Sequence, residues 1–284
     1  MRQFWAALAI FVLVQTPCIA QQRTSIPANQ LVREVVYNEL SNHDHHGCWR
    51  YWIERRTQKE TLLNEQVETV DGPVMRLIKS NGRPLDEEEK LKEEERLSHL
   101  LASPGEQARK RQEYADDEKR IGHILALLPD AFLYESLGVD NARYHLKFRP
   151  NPSYPAHSIE DRVFHGMNGE LWIDARTKHL SRLDGHLDEN VDFGYGILGR
   201  LYKGGWFSLQ RTQVGEYDWK TQRLEVHMNG RAMLFKTIAR ETSETRGGFA
   251  PVPAGMKLTQ GLTLLQNSVS ETPEPSLAVV AMPW

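Results

Sequence analysis

The chain is poor in cysteine. Its 284 residues contain only Cys18 and Cys48, and loss of an N-terminal leader would leave Cys48 as the sole thiol, so no intramolecular disulfide can brace the fold. Stability must then come from a packed core. Long apolar runs are also missing after the first twenty residues, and no later segment reaches the roughly 18 to 20 apolar residues that a membrane-spanning helix needs. Charge of one sign is absent too. The formal net charge of -3 is too mild for a nucleic-acid binder or a partner of an acidic polymer. No Gly-x-Ser-x-Gly elbow occurs, and Cys48 near His46 lacks an orienting partner, so nucleophilic catalysis finds no constellation. Asp174, Asp184 and Asp192 stand at turn positions, where carboxylates stabilise turns. The expectation from these absences is a non-catalytic protein that needs no cofactor.

What is present begins with a leader. Arg2 gives a positive start, Phe4 to Val14 is uninterrupted and apolar, and Cys18-Ile19-Ala20 ends in a small residue. This pattern predicts a signal peptide over residues 1–20, cleaved after Ala20, and export to the periplasm or cell envelope. Gln15, Thr16 and Pro17 stop the apolar run short of a bilayer span, which favours a peripheral over a transmembrane protein. A retained anchor and a lipid-modified Cys18 are the rival readings, although the residues before Cys18 are not the aliphatic and small ones such a site uses.

Hydrophobic periodicity organises the rest. Leu31, Val32, Val35, Val36 and Leu40 form one face of a helix over Ala28 to Leu40. From Trp49 the period becomes two, which predicts antiparallel strands at Trp49 to Glu54, Thr61 to Val70 and Val74 to Lys79, separated by turns at Asp71-Gly72-Pro73 and Asn81-Gly82-Arg83-Pro84. Residues 86–127 are rich in Glu, Lys and Arg with periodic leucines, and read as an inserted pair of helices broken at Ser103-Pro104-Gly105. Their charge is read as a solvated face supported by i,i+4 pairs.

Beyond Pro129 the pattern predicts strands at Phe132 to Leu137, Arg143 to Arg149, Ser158 to Phe164, Glu170 to Asp174, His179 to Leu187, Gly199 to Tyr202, Trp206 to Val214, Gln222 to Asn229 and Ala232 to Thr242. Gly204-Gly205, Asn229-Gly230 and Asp184-Gly185 supply expected turns or bulges. Arg246 to Gly255 and residues 270–284 read as flexible tail. The expected class is α+β, mainly β: a large curved antiparallel sheet, unclosed and half-barrel-like, with an N-terminal helix and a charged helical insertion. Residues 21–269 would form this single domain.

Two motifs carry residue types suited to chemistry. His43-Asp44-His45-His46-Gly47-Cys48 gathers metal-ligand types, but adjacent loop residues rarely converge on one ion and no second Cys/His cluster supports them, so no metal site is expected. Gly194-Tyr195-Gly196-Ile197-Leu198-Gly199 has the spacing of a dinucleotide-binding turn, yet charged residues 188–192 precede it where a buried strand should. It reads as a corner between strands. Aromatic residues are the stronger lead. Trp49, Tyr51, Trp52, Phe148, Trp172, Trp206, Phe207 and Phe235 fall on or beside predicted strands, and are the candidates to line a cavity on the concave face for an acyl chain or other apolar ligand.

The early helix, the successive strands, and the Glu170-Leu-Trp-Ile-Asp174 strand with its Thr177 turn and Leu180 to Leu183 return together resemble the periplasmic lipoprotein carriers, the LolA/LolB-like proteins and their outer-membrane lipoprotein-sorting relatives. The resemblance covers about Ser25 to Lys79 and Pro129 to Thr245. It implies an open, strongly curved barrel around a helix that binds acyl chains without catalysis, with a lipid or lipidated protein as partner. The charged insertion and the C-terminal extension depart from that pattern. An envelope protein-interaction module, using the charged helices or an open sheet edge, is the alternative.

Overall fold

The computed structural model describes residues 26–41, 47–193, 199–232 and 236–268. The leader, the His43 to His46 run, the Gly194 to Leu198 segment, Phe235 and residues 270–284 lie outside them. Helix α1 (Ala28–Ser41) buries Leu31, Val32, Val35 and Val36 along one face, as their spacing requires. Strands β1 (Cys48–Thr57), β2 (Thr61–Val67), β3 (Val74–Ser80) and the short β4 (Arg83–Pro84) then form an antiparallel meander. Helices α2 (Glu87–Ala102) and α3 (Pro104–Ala131) follow. They break at Ser103 because Pro104, lacking an N–H and with its φ preset, suits the first turn of a new helix.

The second half contains β5 (Phe132–Asp140), β6 (Arg143–Pro150), a short helix α4 (Ile159–His165), β7 (Met167–Asp174), β8 (Leu180–Leu187), β9 (Val191–Phe193), β10 (Gly199–Leu201), β11 (Trp206–Gln213), β12 (Trp219–Ala232), β13 (Lys236–Val252) and helix α5 (Leu258–Asn267). All these strands join one 13-stranded sheet in the order β4-β3-β2-β1-β13-β12-β11-β8-β7-β6-β5, with β10 beside β12 and β9 beside β10. The sheet is antiparallel and open. Strands β4 and β5 stand at its opposite edges, and the helical segment between them links those edges.

Helix α3 is the bridge. At 28 residues it is roughly 42 Å long at 1.5 Å per residue. Near its start Arg111 Nε lies 2.9 Å from Asp71 Oδ1 in the turn after β2. Near its end Leu125, Leu128 and Ala131 pack into the core with α1. The sheet bends toward this inner face. Lys220 Nζ on β12 lies 2.8 Å from Glu68 Oε2 just after β2, although β13 and β1 intervene. On a flat sheet those strands would be roughly 14 Å apart.

Two cores sit on opposite faces. The larger one lies on the inner face, where α1 and the end of α3 cover Leu146, Phe148, Leu171, Ile173 and Leu187. The smaller one lies on the outer face of β2 and β3, where α2 and α5 bury Leu97, Leu100, Leu258, Leu262 and Leu265 against Val67 and Val74. Helix α2 also covers an edge strand. Glu93 accepts a hydrogen bond from the Leu77 N–H at 2.7 Å, and Arg96 donates to the Met75 carbonyl at 2.6 Å. Those backbone groups would otherwise template strand pairing with another chain.

Four expectations are corrected. Ser158 to Phe164 is not a strand: Ser158 caps α4, accepting from the Asp161 N–H at 3.0 Å while Asp161 accepts from the Ser158 N–H at 2.8 Å. This reciprocal box satisfies two helix-end donors and starts a helix. Arg246 to Val252 is no tail but the second half of β13, paired with β1 from Ile53↔Arg246 to Cys48↔Val252. A bulge between Arg50 and Trp52 accommodates the extra residues there, with Gly248 at φ +66°. Asn229-Gly230 and Asp184-Gly185 are interior to β12 and β8 and make no turns. Helix α5 was unanticipated.

Candidate ligand cavity

The strand register builds an aliphatic floor on the inner face. Leu146 of β6 pairs with Leu171 of β7, Leu171 with Leu183 of β8, Leu183 with Leu209 of β11, and Leu209 with Leu224 of β12. Directly opposed residues share a face, so one row of leucines crosses five strands. Above Leu171, Leu183 and Leu209 lies a cavity of about 260 Å³, roofed by Val32, Val35 and Val36 of α1 and by Leu125 and Leu128 of α3. Its walls are almost wholly apolar.

Charge appears at one end. Glu39, in the last turn of α1, accepts hydrogen bonds from Arg211 of β11 and from His179 Nδ1 at 3.2 Å. The three side chains are 14 %, 14 % and 6 % exposed, so the cluster is nearly dry. Burial pushes the Glu39 carboxyl up, but the His179 hydrogen bond and the Arg211 charge outweigh it and hold the group at about 2. Arg211 also donates to the Trp219 carbonyl at 2.8 Å, and the Trp219 ring stacks on His179 at 6.0 Å.

Past this cluster a second, larger compartment of about 740 Å³ runs beneath α3 toward β1 and β2. Glu39, Leu125 and Arg211 line both spaces. Its own lining is mixed, with Leu40, Val70, Ile121 and Leu125 beside charged and polar groups. Lys220 pairs with Glu68, whose carboxylate also accepts from the Tyr51 hydroxyl at 3.1 Å, while Gln66 donates to that hydroxyl at 2.5 Å. Burial and then the Glu68 charge push the Tyr51 phenol above its ordinary range. Tyr114 is pushed up to about 12 by burial and by Glu118. Trp219 is only 9 % exposed, and its buried Nε1 has no hydrogen-bond partner.

The aromatic candidates lie elsewhere. Trp49 and Tyr51 form a small cluster with Ile53, Val214 and Phe249. Phe148 packs edge-on to Phe132 with centroids 5.0 Å apart, and Phe207 is partly buried against the main core. Trp52 faces outward at the β1 bulge, against Gly247 and Gly248. Trp172 is also on the outer face, stacked on His145 at 4.5 Å with the Arg182 guanidinium 4.7 Å from its ring. Trp206 is 42 % exposed and stacks on His227. None of these seven lines the apolar cavity, and Phe235 lies outside the described residues. Apart from Tyr134 and Thr221 the lining is aliphatic, and its polar end rests on Glu39 and Arg211, with His179 behind Glu39, which sequence reading missed.

Among the described residues no group of His, Cys, Asp and Glu is arranged to hold a metal, and Cys48 is a buried free thiol. No described helix is long and apolar enough to cross a membrane.

No family model matches the chain, and no curated protein matches it. The crystal structure of a DUF1329 family protein from Desulfovibrio piger is similar over 79% of this chain and 93% of its own, at a TM-score of 0.30 and 10% identity.

Proposed function

We propose that this protein is a non-catalytic carrier or binding protein of the cell envelope that holds an acyl chain or other apolar ligand between α1, α3 and the inner face of the sheet. The observation that carries the reading is the leucine row roofed by the valines of α1. Such a space gains roughly 25 cal/mol for each Å² of ligand surface it takes from water. The apolar leader supports an exported, peripheral protein, and the open sheet around a helix fits the lipoprotein-carrier architecture that the sequence resembles.

Titration with a fluorescent fatty-acid analogue tests it. The wild type should bind the probe at one site, and Leu183→Trp, which fills the cavity, should abolish binding while keeping cooperative unfolding. Equal probe binding by a folded L183W protein would refute the site.

One observation favours a second reading, that of an interaction module. Strand β5 ends the sheet and exposes Leu137 by 47 % and Val139 by 63 %, a surface suited to strand addition by a partner.

A further inference from the structure

We infer that Tyr134 sets the length of apolar chain this protein accepts, by closing the leucine-lined cavity at the end away from Glu39 and Arg211. This rests on the apolar-ligand reading and adds a specificity-determining residue to it. The lining follows the order of the strands. Thr221 on β12 and Arg211 on β11 stand on one side, Leu183 on β8 and Leu171 on β7 in the middle, and Tyr134 on β5, the last strand, on the other. Helix α1 gives the same direction. Glu39 lies seven residues after Val32, roughly 10 Å further along the helix at 1.5 Å per residue. The early end of α1 is tied to the Tyr134 corner, because Asn29 donates to the Pro129 carbonyl at 2.7 Å and the Tyr134 hydroxyl donates to the neighbouring Leu128 carbonyl at 2.8 Å.

The two ends differ in chemistry. At the far end Thr221 offers a hydroxyl, and Arg211 has further N–H groups beyond those that bond Glu39 and the Trp219 carbonyl. At the near end the Tyr134 hydroxyl is already bonded to Leu128, and its ring packs edge-on to Phe132 with centroids 6.4 Å apart. A chain with a polar head therefore points its methyl end at Tyr134, and each added carbon is measured there. At roughly 30 Å³ for a water-sized group, a space of about 260 Å³ holds about nine carbons. Among the described residues Tyr134 is the one aromatic side chain in the lining. It is the large group whose removal lengthens the space.

The test is calorimetric titration of the full chain with a series of 1-alkanols from hexanol to dodecanol. Affinity for the wild type should rise about fourfold with each added methylene, the gain from burying one, and stop rising at about nine carbons. Tyr134→Ala frees room for about three more groups, so its break should come about two or three carbons later. Tyr134→Phe keeps the ring and should keep the wild-type break, so that the shift tracks the ring and not the hydroxyl bond. If Tyr134→Ala does not fold, Tyr134→Leu takes its place, with a break about one carbon later. An unmoved break in the folded variant, or a wild-type series with no break, would overturn the assignment to Tyr134 and leave the apolar-ligand reading intact. So would binding of the fluorescent fatty-acid analogue without binding of any alkanol. If neither the alkanols nor that analogue bind, the underlying reading falls with it.

Discussion

Glu39 in the last turn of α1 accepts a hydrogen bond from Arg211 on β11, 172 residues along the chain. That one carboxylate ties the roof of the apolar cavity to its floor, where the cavity borders the second compartment. The pair does this in a nearly dry site, so removing one member leaves the other buried and uncompensated.

Replacing Glu39 by Ala should therefore cost roughly 3 to 5 kcal/mol, as loss of one partner of a buried pair does. The double variant Glu39→Leu with Arg211→Met should recover much of that loss, because no charge is then stranded. Urea unfolding of the single variants Glu39→Leu and Arg211→Met and of the double one checks the prediction. A double variant as unstable as either single variant would contradict the pairing.

The same carboxylate sets a pH dependence. Its folded value of about 2 lies below the ordinary 4.5, so ionised Glu39 stabilises the fold. That stabilisation is complete above about pH 4.5 and is lost as the pH falls toward 2. Over that window the stability gap between wild type and Glu39→Gln should shrink by roughly 3 kcal/mol. His179 and Arg211 are the groups facing it, and both favour the ionised form. Denaturant midpoints at about pH 6 and pH 2.5 measure the gap, and a gap independent of pH would contradict the assignment.

Gly169 on β7 should not tolerate a side chain. A Cβ there would lie 2.0 Å from the Asp184 carbonyl oxygen and 2.6 Å from Phe148 Cζ. The first clash is with backbone and cannot be relieved by a rotamer. Gly169→Ala should lose roughly 1 to 3 kcal/mol, the range for overpacking, and thermal unfolding should show the fall in Tm. An unchanged Tm would contradict the close approach of β7 and β8.

Glu93 is expected to protect the β3 edge. In Glu93→Ala the Leu77 N–H loses its acceptor, with a cost of roughly 1 to 2 kcal/mol and a rise in self-association along the uncovered edge. Light scattering alongside denaturant unfolding tests both effects. A monomeric, equally stable variant would count against the edge-covering role of α2.

Much of the fold was legible because periodicity reports burial directly. Leu31, Val32, Val35 and Val36 gave α1, and Leu171 and Ile173 alternating with Glu170, Trp172 and Asp174 gave β7, with its inner face now seen buried. That alternation places Trp172 with the polar residues, on the face away from the cavity, where it stacks on His145. Local signals that depend on a partner were harder to read. Gly247 and Pro251 look like breakers, yet both lie in β13, and Gly247 is where Trp52 packs against the backbone. The Ser158 box reads as Ser-x-x-Asp, a helix-start signal that competes with the apolar residues Val163 and Phe164 beside it. The Glu39, His179 and Arg211 cluster joins residues up to 172 apart, and no local pattern in one sequence marks such a meeting.

The most direct measurement is mass spectrometry of a denaturing organic extract of the protein purified from its native source. The expected result is a stoichiometric acyl species that disappears in the Leu183→Trp variant. A clean extract from the wild type, repeated after incubation with native membranes, would contradict a ligand-holding role.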